Sequence, residues 1–562
     1  KTLQLVLAGS ILAVIYFVIY NSYPFANIFS DIAAYNNTIS YSPDALFHSA
    51  IMQMLHNFNT PSIGLDGLKK ISYHIFTHRW GVANLKILGG QAILLLGICQ
   101  QVAFVPIFLF TSTLTLILLT SIEISALLAC GFSLLSLWSS SIFVGLSYVG
   151  SESFTFSLAI FMAMLPVGRF WLFQIYQSRR WSTIHPLAIA TAVLAILVCG
   201  ATKISSGAML ALFLILCVSI PKIWQKDSIS WVDVGRFLVL AIPFLLGCLV
   251  LGFTFSLSSR PLSLNLNAEF IPSVIAFIGL ITLFYFLKNT DDKHYQRSQI
   301  SMLTVMFVAS QLPAIYIPAN TLIYFVTVAL FVASFFTMSS LADYCQNHRQ
   351  VSLMAVANSV NYSGWHISHK LLSWGLIFVI VSSFTYILHS GTIPIIDKNR
   401  VQHIVGKAHR ALNIVNEAEK IKQGQFEKLK QRTELGAIQS YIHELNLSPN
   451  RPKPTVIYVS PDFVDFWRHE QSEYCWAKPF VIPAMTGFPL LNGVSNRIDG
   501  CPGGESNSYF GLVDYKSESW NRPLSESDLC AKATQLGFVQ VLSITDKSKY
   551  TLLTCPAKTA SK

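Results

Sequence analysis

Long apolar runs alternate with short polar breaks over most of the first 390 residues. Apolar runs of about 17–25 residues each suit one crossing of a bilayer. The pattern predicts spans near 2–20, 101–119, 122–138, 153–172, 183–200, 206–221, 236–255, 270–288, 300–317, 320–340 and 370–389. That makes about eleven, with 85–100 as an interfacial helix rather than a twelfth. The opening KTLQLVLAGSILAVIYFVIY reads as a retained first span, because no small-residue cleavage site follows it.

After Ser390 the pattern changes. From Val401 to Leu445 it is helical, with Glu417, Glu419, Lys420, Glu427, Lys428 and Lys430 on an exposed face, an arm suited to a protein partner. TVIYVS (455–460), VQVLSI (539–544) and TLLTC (551–555) read as short strands. Between the first two, LSESDLCAKATQLGF reads as a Ser/Glu-capped helix ending near Gly537. CPGGES has neither the preceding strand nor the glycine spacing of a nucleotide loop. The expected fold is therefore a polytopic α-helical membrane protein with a C-terminal extracytoplasmic α/β domain. Its segments are a first span (1–20), an extracytoplasmic loop (21–100), a helical bundle (101–389), a helical arm (390–450) and the α/β domain (451–562).

Composition agrees with the pattern. Of 562 residues 52% are hydrophobic and 12% charged, against about 25% charged in soluble domains. The mean hydropathy is +0.51. A net charge of +11 fits cytoplasmic flanks and lipid headgroups, and no Lys/Arg blocks interleave with aromatics, so nucleic acid is not an expected partner. Arg169, Arg179, Arg180, Lys222, Lys226, Lys288, Lys293, Arg297 and Arg349 fall on one side of the spans. The positive-inside rule makes that side cytoplasmic, with the N-terminus inside and the loop 21–84 and the tail outside. Cys475, Cys501, Cys530 and Cys555 then lie in an oxidising compartment, where an even set predicts two disulfides with three possible pairings. The triplets at Asn36, Asn361 and Asn446 read as chance matches, and a bacterial inner membrane is the expected location.

The polar loop between the first two spans gathers the chemistry: Asp31, Asp44, His48, His56, Asp66, His74, His78 and Arg79. In SPDALFHSAIMQMLH, Asp44 and His48 stand four apart, on one face of a helix that Ser42 or Asp44 caps. A carboxylate beside an imidazole acts as a general base or shares a metal; equally, Asp44 caps the helix and His48 packs under it. YHIFTHRW places His74 and His78 at i, i+4, without the glutamate of a zincin helix. Asp44, His48, His74 and His78 are thus candidate ligands of a divalent metal, and no other cofactor is indicated. Trp80 and Tyr73 suit a membrane-interface belt. Glu152, Lys203 and Arg260 lie near the outer ends of spans, Lys203 in the polar break ATKISSG of an apolar helical hairpin. Charges in apolar surroundings face a cavity or a partner, or snorkel to headgroups. Lys203, Arg260, Glu152, His74, His78 and Arg79 form the candidate substrate and phosphate-binding set, since cations hold phosphates.

This layout resembles the GT-C superfamily of polytopic glycosyltransferases. The features that carry the likeness are a cytoplasmic N-terminus, a long first external loop with an early acid, about eleven spans and an external soluble C-terminal domain. SPDALFH, PSIGLDGL and YHIFTH also resemble loops of bacterial membrane proteins placed beside this superfamily. The resemblance implies transfer of a sugar from a polyprenyl-phosphate carrier to a glycan, lipid or protein acceptor outside the membrane. It implies a loop aspartate as base, Asp31 or Asp44. No DxD or paired DE motif is present. The rival expectation is a non-catalytic scaffold subunit of an envelope complex or, with no internal repeat in view, a transporter.

Overall fold

A computed structural model describes residues 43–71, 75–89, 91–98, 104–120, 129, 152–178, 184–225, 231–250, 270–287, 293–315, 319–358, 433–449, 454–467, 478–492 and 523–556. The expected spans 2–20 and 370–389, all of 122–138 but Ala129, and the arm before Thr433 lie outside these residues. The chain divides into two compact units, one of Lys1–Tyr20 with Val102–His403, the other of Asn21–Gln101 with Ile404–Lys562.

The first unit is helical throughout the described residues: Val105–Leu119, Glu152–Ser178, Pro186–Thr202, Ile204–Trp224, Trp231–Val250, Phe270–Leu287, Lys293–Gln311 and Ala319–Asn358. Each covers one of the expected spans. Ser153–Ser178, Ile204–Trp224 and Tyr324–Tyr344 are long and apolar enough to cross a membrane, and Ile107–Leu119, Pro186–Thr202 and Ser273–Leu287 are shorter apolar helices. The chain is a membrane protein.

Lipid tails are as apolar as leucine, so these helices are held by close packing and by hydroxyls that bond across to a neighbour. Thr115 Oγ1 donates to the Met162 carbonyl at 2.6 Å, and Thr337 Oγ1 to that of Leu280 at 3.2 Å. A Cβ added at Gly168 would lie 2.2 Å from Cε1 of Phe213, so only glycine admits the Ile204–Trp224 helix at this distance. Lys222, counted above among the cytoplasmic flanks, is buried and paired with Asp233 at 2.7 Å.

The second unit is a three-layered α/β body. Strands β1 (Thr455–Val459), β2 (Gln540–Asp546) and β3 (Lys549–Thr554) follow the expected segments within two residues. β1 and β2 pair in parallel, and β2 and β3 form an antiparallel hairpin. Alternation puts Val456, Tyr458 and Val541 on one face with Leu529 and Ala533 of the Glu526–Gln535 helix. Ile457, Val459, Leu542 and Ile544 face the other way, onto a core shared with the Pro43–Phe58 and Lys478–Thr486 helices. Ser525 caps the Glu526–Gln535 helix by accepting from the Asp528 amide at 3.2 Å. Cys530 and Cys555 are disulfide-bonded, tying that helix to the end of β3. Cys475 and Cys501 lie outside the described residues.

The early loop belongs to this body. Leu490 and Leu491 run beside β1, with the Ile457 amide on the Pro489 carbonyl at 2.9 Å and the Leu491 amide on Ile457 at 2.7 Å. The segment Gly64-Leu65-Asp66-Gly67 then adds to that edge. The Leu490 amide donates to Gly64 at 2.6 Å, Gly67 to Leu490 at 2.9 Å and Asp66 to Asn492 at 3.1 Å. Asp66 also pairs with Lys532 at 2.9 Å. The helix expected over 85–100 is two pieces, Phe76–Leu88 and Ala92–Ile98, parted where Gly89 takes φ +70°.

Candidate functional site

The Pro43–Phe58 helix carries the early acid and the first histidine. Pro43 is its first helical residue, where a missing amide hydrogen costs nothing and φ is already helical. Ala45, Leu46, Phe47, Ala50, Ile51, Met52, Met54 and Leu55 are all buried, so most of its circumference is core, with Gln53, His56 and Asn57 partly exposed. It ends at Asn59, which accepts the left-handed conformation (φ 52°) and donates its amide to Leu55 at 3.1 Å.

His48 is buried in this helix and meets His78 of the Phe76–Leu88 helix. Nδ1 of His48 lies 2.8 Å from Nε2 of His78, with the ring centroids 5.0 Å apart and the planes 34° to each other. One ring must donate its N–H and the other accept with its lone pair. The pair is made by close helix packing: a Cβ on Gly81 would lie 2.7 Å from Cε of Met52. Two nitrogens bound tetrahedrally to one zinc-like ion stand about 3.3 Å apart, whereas these are at hydrogen-bond distance. Among the described residues no three of His, Cys, Asp and Glu gather as a metal site.

Asp44 occupies the first turn, one turn before His48, and its side chain lies outside the described residues. Asp31, His74 and Arg260 lie outside them as well, and the helix bearing His78 starts at Phe76. Glu152 is the first residue of the Glu152–Ser178 helix, its side chain likewise not described. Arg79 is exposed, on the side of its helix away from His78. The expected His74–His78 pairing lies outside the described residues, and within them His78 meets His48. No local spacing signals a contact between residues 30 positions apart.

Lys203 is in the membrane unit. It is the one residue between the Pro186–Thr202 and Ile204–Trp224 helices, with extended backbone (φ −151°, ψ 117°). The corner is tight because Gly207 rides on Gly200: a Cβ there would lie 2.4 Å from the Gly200 Cα. Lys203 is buried, its Nζ 3.9 Å from the centre of the Tyr324 ring. Close by, Ser206 is hydrogen-bonded to Ser157 at 2.8 Å. Tyr324 and Ser157 were not foreseen, since an aromatic and a serine inside apolar runs stand out from nothing around them.

Two further groups in the loop-and-tail unit are electrostatically unusual. Lys478, at the start of the Lys478–Thr486 helix, is buried with its Nζ 4.8 Å from the centre of the Phe466 ring. Burial pulls its ammonium down to about 8, against an opposing pull from Glu434. Burial, then the Lys86 ammonium, hold His56 below its ordinary value.

The chain resembles an archaeal oligosaccharyltransferase. One solved structure is AglB from Archaeoglobus fulgidus in complex with an inhibitory peptide and a dolichol-phosphate, 13% identical, covering 96% of this chain and 69% of that one at a TM-score of 0.36. A second, the Archaeoglobus fulgidus oligosaccharyltransferase in the apo form, is 12% identical over 97% and 70% at a TM-score of 0.39. No protein-family model matches the chain, and no curated protein matches it.

Proposed function

We propose that this chain is an integral-membrane glycosyltransferase moving a sugar from a polyprenyl-phosphate-linked donor to an acceptor outside the membrane. The observation that carries the reading is Lys203: an ammonium kept buried, at a one-residue corner between two apolar helices, against an aromatic ring. Ionisable groups at such a place are costly and mark substrate sites. A lipid-linked phosphate is an anion that reaches a protein through the bilayer, and Lys203, with Arg260, is assigned to it.

In the proposed step the acceptor hydroxyl attacks the anomeric carbon and gives its proton to Asp44. The bond from that carbon to the carrier phosphate breaks, leaving the polyprenyl phosphate with the added charge. Lys203 binds that phosphate in donor and product alike. His48, pinned by His78, holds the helix that presents Asp44. The loop-and-tail unit supplies the acceptor side, a glycan or an exported protein or lipid.

The test is transfer from a radiolabelled polyprenyl-phosphate sugar by the purified chain in lipid. Asp44→Asn is expected to lower kcat by about 10²–10⁴ with an unchanged melting temperature. Lys203→Met is expected to raise the KM for donor by about tenfold or more, the worth of a charge-assisted contact. Wild-type turnover in Asp44→Asn refutes the base assignment.

A further inference from the structure

The Phe76–Leu88 helix exposes large apolar side chains beside its charged ones. It buries Thr77, His78, Gly81, Val82 and Leu85. It exposes Arg79, Trp80, Ala83, Lys86, Ile87 and Leu88. At 100° per residue, Arg79, Lys86, Ala83, Ile87 and Trp80 fall within an arc of about 120° centred opposite the buried one. Ile87 is 80% exposed and Leu88 69%. Among the described residues, every other exposed large apolar side chain belongs to the membrane unit. Among its described residues, the exposed large apolar side chains of the loop-and-tail unit all lie on this helix.

We propose that this face is a membrane-surface contact, seating Ile87 and the Trp80 ring among lipid headgroups with Arg79 and Lys86 on anionic lipid phosphates. Three features choose a lipid surface as the occupant. The face joins aliphatic side chains and tryptophan to two cations, the composition of helices that lie in an interface. The helix has no acid in its first turn to oppose an anionic surface. The chain also enters the apolar helix Val105–Leu119 only six residues after Ile98, so this end of the unit is tethered to a membrane helix. Arg79 thereby passes from the substrate-phosphate set to the lipid surface. The inference stands apart from the transferase reading, but it has a consequence there. The same helix turns His78 inward onto His48, so its seating on lipid sets the height of the helix that carries Asp44.

The experiment places a photo-crosslinking benzophenone amino acid at position 87 of the full chain, in nanodiscs of phosphatidylcholine with phosphatidylglycerol. Irradiation followed by mass spectrometry is expected to give a phospholipid adduct at 87 and none from the same probe at position 549, an exposed site on β3. Neutralising both cations (R79Q with K86Q) is expected to lower the phosphatidylglycerol adduct by about fivefold per charge, and to leave the phosphatidylcholine adduct unchanged. A probe at 87 that gives no adduct, or one to protein (a second copy included), overturns the proposal. A phosphatidylglycerol adduct indifferent to the two substitutions overturns the role of the cations. Transfer activity is not read, so failure here is distinct from failure of the transferase reading.

Discussion

At the scale of single residues, burial decides which charges matter, and the sequence discloses burial unevenly. Lys203 was legible because its neighbours Thr202, Ser205 and Ser206 break an apolar run. His48 was legible as chemistry, but His78 as its partner was not, because the pairing comes from packing two helices. Lys478 was not legible at all: between Ala477 and Pro479 it looks like any lysine in a polar tail. Its burial has a measurable consequence. The folded value of about 8 lies below the ordinary 10.5, so the native state resists the proton that the unfolded chain keeps. Below pH 8 both states are charged and the burial cost is fully present. From about pH 8 to 10.5 the unfolded chain holds more protons, so stability rises with pH. The full relief is about 3 kcal/mol. Lys478→Met removes the charge, so it is expected to melt higher than wild type at pH 7, with the gap narrowing by pH 10. Melting temperatures of both proteins across that range check this, and a gap constant with pH refutes it.

At the scale of elements, periodicity placed the strands within two residues and the described helices by overlap, with ends off by up to 18 residues at Ala319–Asn358, and it missed interruptions and long-range docking. The strands were legible from β-branched runs, and the capped helix from its Ser/Glu start in LSESDLC. The Pro43–Phe58 helix was legible mainly by its start signal, since a helix buried over most of its circumference has little polar face to reveal its period. PSIGLDGL was legible as a tight loop, but the surface it docks on was not. Two glycines separate these levels. Gly64 has φ +70°, and a Cβ there would lie 2.7 Å from Cβ of Pro483 and 2.9 Å from Sδ of Met54. Gly537 has φ +87° with open space around the added atom. Both alanine substitutions pay for left-handed backbone, about 1–2 kcal/mol, but Gly64→Ala adds an overpacking cost of about 1–3 kcal/mol. Thermal unfolding is expected to order the three proteins as wild type, then Gly537→Ala, then Gly64→Ala. Equal losses at the two glycines would show that Gly64 does not sit against Pro483.

At the scale of the whole molecule, the sequence separates an early loop from a late domain, and the structure joins them. Residues 61–71 and 487–492 exchange backbone hydrogen bonds, and Asn57 Nδ2 donates to the Gly487 carbonyl at 2.8 Å. The Pro43–Phe58 helix shares one core with Ile457, Phe480, Val481 and Leu542. No local pattern announces this, because each half only looks like a segment with more apolar residues than it can cover alone. The early helix is therefore not free-standing: without residues beyond His403 it loses the core that buries Phe47, Ile51 and Leu55. A chain ending at residue 403 is expected to keep its apolar helices in the membrane yet to be cut within 43–98 by a protease added to sealed vesicles from the loop side. The full chain is expected to resist under the same conditions. Supplying residues 404–562 as a separate polypeptide during synthesis is expected to restore protection, since the joints are backbone pairs and buried side chains rather than covalent links. If the truncated chain resists unaided, the early loop folds on its own and the shared core is not what holds the Asp44 helix in place.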